Sequence, residues 1–92
     1  MKIQLNEKAR NYFLKEGRDV IIKNQITYGW AGARSKPTVI VGKPEDPENY
    51  EHVDVDGINV YASKELKLEN GTITINLNGI GPFQKFDVQG LL

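Results

Sequence analysis

Glu51–Ser63 reads EHVDVDGINVYAS, and its alternation decides the fold class. Successive side chains on a strand point to opposite faces. Val53 and Val55 therefore face one way, and His52, Asp54 and Asp56 the other. Asp56-Gly57 is a strong two-residue turn signal, because the favoured hairpin turn needs positive φ at both central positions. Val60 continues the return strand. The segment predicts a β-hairpin with one apolar face.

The same reading extends outward. Ser63–Leu66 is read as one helical turn capped by Ser63. LKLENGTITINL at Leu66–Leu77 predicts a second hairpin turning at Asn70-Gly71, with Leu66, Leu68, Ile73, Ile75 and Leu77 inward. GIGP breaks the chain at Gly79–Pro82, and FQKFDVQ at Phe83–Gln89 predicts a last strand. Upstream, the prolines and acids of KPEDPENYE mark an exposed loop. TVIVG at Thr38–Gly42 is a strand rich in β-branched residues, and Asp19–Tyr28 is another, carried by Val20, Ile22, Ile26 and Tyr28. Lys2–Leu5 alternates as a short edge strand. Asn6 then caps a helix over Glu7–Glu16, which Gly17 stops; Ala9, Tyr12 and Phe13 share one helix face. One helix and six to eight short strands predict an α+β, mainly β domain spanning 1–92, mostly antiparallel, with the helix over a sheet or small sandwich.

Composition narrows the function classes. Lys plus Arg equals Asp plus Glu, at 12 each, so no global charge draws the chain to nucleic acid or an anionic membrane, and neither partner is expected. Cysteine is absent, which excludes disulfides, thiolate metal sites and cysteine nucleophiles. No apolar run suggests a signal or a membrane span, so a cytoplasmic protein is expected. Asn70-Gly71-Thr72 matches a glycosylation sequon and reads as a turn.

Few residues suggest chemistry. His52, Asp54 and Asp56 share a strand face and form a weak candidate metal set, against the plainer reading of a solvated outer face. GWAGARSK lacks the Gly-Lys-Ser/Thr ending of a phosphate loop, since Pro37 follows Lys36. No nucleophile–base pair and no cofactor motif is found, so no enzyme activity and no cofactor is expected. The remaining candidate is the glycine-bounded loop after Tyr28. It offers Tyr28, Gly29, Trp30, Gly32, Arg34 and Lys36 as binding residues, an aromatic beside cations. The alternative is that Trp30 closes the end of a small core, its indole N–H bonded to a loop carbonyl.

In order along the chain, YGWAGA (Tyr28–Ala33), VDVDGINVYAS (Val53–Ser63), KLENGTITI (Lys67–Ile75) and GIGPF (Gly79–Phe83) resemble the HesB/IscA family, the A-type proteins of iron–sulphur cluster assembly. The resemblance is strongest to small HesB-like proteins whose loop carries adjacent cysteines or a selenocysteine. It implies a twisted β-sandwich with one N-terminal helix, and self-association as a homo-oligomer. Trp30 stands where the family has its first ligand cysteine, and the family's Cys-Gly-Cys segment has no counterpart. No cluster ligand therefore carries over. Three functions stay open: a non-enzymatic module for a ligand or protein partner, an iron–sulphur or metal accessory using non-cysteine or partner-supplied ligands, and an enzyme.

Overall fold

The computed structural model describes Met1–Leu92 as seven strands and one α-helix. Strand β1 (Lys2–Leu5) leads into α1 (Glu7–Glu16), whose limits match the capping pattern. The Asn6 side-chain oxygen accepts from the Ala9 amide at 2.8 Å, and the Gly17 amide closes the helix on the Phe13 carbonyl at 3.1 Å. Asn6 also ties the helix to the sheet. Its oxygen accepts from the Leu77 amide at 3.1 Å, and its side-chain amide donates to the Leu77 carbonyl at 3.2 Å.

Strands β2 (Asp19–Gly29), β3 (Gly32–Val41), β4 (Tyr50–Val55), β5 (Ile58–Ser63), β6 (Thr72–Asn78) and β7 (Lys85–Gln89) complete two sheets. One has the order β1-β6-β7 and the other β3-β2-β5-β4. Pairing is antiparallel for β2–β3, β4–β5 and β6–β7, and parallel for β1–β6 and β2–β5. The expected fold class, α+β and mainly β, is the one observed. Single-residue alternation supplies the core between the layers: Val20 and Ile22 from β2, Ile58, Val60 and Ala62 from β5, and Ile73, Ile75 and Leu77 from β6. Ala9 and Phe13 of α1 complete it, with Phe13 stacked on Phe86 at 5.3 Å between ring centroids. Each fully buried side chain of this size contributes about 1.5–3 kcal/mol.

The Asp56-Gly57 turn is as expected: Val55 pairs with Ile58, and Asp56 and Gly57 have φ of 52° and 86°. Three expectations are corrected. Leu66–Leu77 is not a hairpin. Leu68 instead bridges Leu91, while β6 lies between β1 and β7. The five apolar positions named there still face inward, because that depends on alternation and not on which strand is the neighbour. Ser63–Leu66 is a hydrogen-bonded turn and no helix; Ser63 ends β5, and its hydroxyl accepts from the Glu65 amide at 3.2 Å. The third correction is the loop around Trp30.

Candidate functional site

The stretch from Tyr28 to Lys36 is strand almost throughout. β2 and β3 pair continuously from Val20–Val41 to Gly29–Gly32, leaving only Trp30 and Ala31 as a two-residue turn. Arg34 and Lys36, expected in a loop, lie within β3.

The ladder assigns each side chain to a face, because paired residues share one. Tyr28 pairs with Ala33, Ile26 with Ser35 and Asn24 with Pro37, on the face that carries Val20 and Ile22 into the core. Thr27 pairs with Arg34, Gln25 with Lys36 and Lys23 with Thr38, on the opposite, outer face. The six candidate residues therefore do not converge. Tyr28 is separated by the sheet from Arg34 and Lys36, Gly29 and Gly32 close the ladder, and Trp30 stands at the tip.

Burial divides β2 in two. Val20, Ile21 and Ile22 are buried, whereas every residue from Asn24 to Gly29 is exposed. The reason is length. β5 pairs with β2 only over Asp19–Ile22, so beyond Lys23 the β2–β3 ribbon overhangs its own sheet. The exposed ribbon from Asn24 to Gly29 spans about 20 Å at ~3.4 Å per residue. Ile26 is 55% exposed, Tyr28 83% and Trp30 104%. Trp30 therefore does not close the core.

The arm is cationic. Between Asp19 and Glu45 there is no acid, while Lys23 at its root and Arg34 and Lys36 on β3 are basic. The two ion pairs of the molecule, Met1 amino–Glu51 and Arg10–Asp56, involve none of these cations.

His52, Asp54 and Asp56 do not form a ligand set either. His52 Nε2 donates to the Asn59 side-chain oxygen at 2.8 Å, and Asn59 donates to Asp19 at 3.1 Å. Asp54 accepts from the Gly57 amide, and Asp56 sits in the turn at positive φ beside Arg10. No three His, Cys, Asp or Glu residues come together to hold a metal.

The residues missed at the sequence level are Lys23, Asn24 and Ile26. The available signal was a mismatch of lengths: a long apolar-alternating run before Gly29, against a β5 bounded by Gly57 and Ser63.

With the geometry in view, the two-sheet arrangement behind an N-terminal helix is a HesB-like fold. It is similar to the crystal structure of Escherichia coli SufA, a protein involved in biosynthesis of iron–sulphur clusters, at a TM-score of 0.58 and 14% identity. That alignment covers 97% of this chain and 80% of SufA. A family model described as the CC/Se motif containing family matches residues 1–91, and the chain belongs to that family. No curated protein matches it significantly. The residues present do not fit an iron–sulphur cluster, whose usual ligands are thiolates, because the chain has no cysteine. No helix is long and apolar enough to cross a membrane.

Proposed function

We propose that the chain is a non-enzymatic partner-binding protein built on the HesB-like scaffold, and that the β2–β3 arm is its binding element. The observation that carries this reading is the exposure of Trp30 at the arm's tip. Tryptophan, tyrosine and arginine are the residue types that most often dominate interface energetics, and Trp30, Tyr28 and Arg34 lie within one hairpin. A further support is that a two-stranded ribbon without a covered face is marginally stable in water, so a cover stabilises it.

The test places a photo-crosslinking phenylalanine derivative at the exposed turn residue Ala31, which leaves Trp30 in place, in an extract of the source cell. The expected result is a discrete crosslinked species from position 31 that is absent from a control at Leu14 on α1 and diminished by Trp30→Ala. Equal labelling from both positions, or none from position 31, overturns the reading.

The likeness to SufA supports a second reading, cluster assembly with thiolates lent by a partner. Anaerobic reconstitution with iron, sulphide and the crosslinked partner tests it. A colourless complex removes it and leaves partner binding standing.

A further inference from the structure

The backbone of the arm carries more information than its side chains. Within β2, odd-numbered residues bond toward β3, as the Gly42 amide does to the Asp19 carbonyl at 2.7 Å. Even-numbered positions bond toward β5, as Arg18 does in accepting from the Asn59 amide at 2.6 Å. β5 stops pairing at Ile22. Asn24, Ile26 and Tyr28 consequently present N–H and C=O groups sideways with no protein partner, at the position where β5 would continue.

The other edge of the ribbon differs. By the same alternation Pro37 lies at an outward-facing position of β3, where its missing N–H interrupts the row of donors. One edge is thus blunted by proline, a usual defence against strand pairing, and the other is not.

We infer that the β2 edge from Asn24 to Tyr28 accepts an extended strand from a protein partner whose residues alternate between acidic and apolar. This deepens the partner-binding reading and rests on it. An added strand places alternate side chains on the two faces of the ribbon. On the outer face they meet Lys23, Gln25 and Thr27, with Lys36 and Arg34 one strand further on, so carboxylates match. On the inner face they meet Ile26 and Tyr28, so apolar side chains match.

The root of the edge is open on both sides of Asn24. The outer cleft, about 240 Å³, is lined by Lys23, Asp46, Tyr50, Ser63, Lys64 and Glu65. The inner one, also about 240 Å³, is lined by Ser35, Leu66, Leu91 and Leu92 together with the charged Glu65 and Lys67. Polar groups line both clefts, but three leucines border the inner one and none the outer, so the inner cleft is the more apolar of the two. Asp46 and Glu65 at the root set the acidic positions of the partner further out, over Gln25 and Thr27.

The experiment titrates the full chain with a blocked heptapeptide alternating glutamate and valine. The controls are a peptide of the same composition with the two residue types segregated, and one alternating lysine and valine. Trp30 fluorescence and amide exchange are the readouts. The expected result is saturable binding at least about tenfold tighter than either control, with new protection at the Asn24, Ile26 and Tyr28 amides.

Ile26→Pro removes an N–H that the β2–β3 ladder does not use. It should weaken binding at least about tenfold while the Gln25 and Thr27 amides stay protected. Should the ladder itself be lost, N-methylation of the peptide on its hydrogen-bonding side blocks the same edge in the unaltered protein and should have the same effect. The proposal is overturned by equal binding of the lysine peptide, by indifference to N-methylation, or by protection elsewhere. It is also overturned if the arm ignores the peptide and binds anionic vesicles, a single-stranded oligonucleotide or a second copy of the chain. A partner crosslinked at position 31 with no peptide bound at the edge defeats strand addition alone; no partner at position 31 defeats the broader reading.

Discussion

The two halves of β2 have the same alternation and opposite fates. Val20 and Ile22 lie under the second sheet with no exposed surface, whereas Ile26 and Tyr28, on the same face of the same strand, are solvent-exposed. Alternation assigns a side chain to a face. Whether that face is covered depends on how far the rest of the fold reaches, and beyond Ile22 the ribbon has outrun even β5, its neighbour within the sheet. The inner half is therefore scaffold and the outer half is free to engage something else.

The comparison breaks most severely from the core side. Phe13→Ala empties the contact with Phe86 and should cost about 3–5 kcal/mol in chemical denaturation, enough to abolish much of a small domain's stability. Asn6→Ala should cost about 1–3 kcal/mol, since it removes a helix cap and leaves the Leu77 amide without its acceptor. Gly57→Ala should cost about 1 kcal/mol, because alanine resists the φ of 86° that the turn requires.

On the arm the same measurement should hardly move. Trp30→Ala should alter stability by less than about 0.5 kcal/mol while weakening partner capture by about 2 kcal/mol or more. A stability loss comparable to that of Asn6→Ala would show that the tip is covered in solution and would erase the contrast. The finest test is amide exchange along β2 in the free protein. The Ile22 amide should exchange slowest, Gln25 and Thr27 at intermediate rates, and Asn24, Ile26 and Tyr28 fastest.

Much of the scaffold is legible in the sequence. The helix limits follow from Asn6 and Gly17, and the β4–β5 turn follows from Asp56-Gly57, because capping and positive φ are local requirements. The hairpin assigned to Leu66–Leu77 failed for the complementary reason. A turn-prone Asn70-Gly71 permits a reversal, but Leu68 found Leu91 and β6 found β1, pairings set by packing across the whole chain. The glycines around Trp30 suggest a loop in the sequence, whereas Gly29 and Gly32 pair with each other to close a ladder. That ladder also separates Tyr28 from Arg34 and Lys36, which adjacency in sequence had grouped together.

The sequence by itself determined the inward positions, the helix and its ends, the mainly β class and the lack of thiolate ligands. Each of these depends on residue type or on a spacing of a few residues. Only the tertiary structure decided that the ribbon overhangs, that Trp30 is its exposed tip, and that one backbone edge is open while Pro37 interrupts the other. Those features arise where one strand outlasts its neighbour, and the neighbour of β2 is β5, brought beside it from far along the chain.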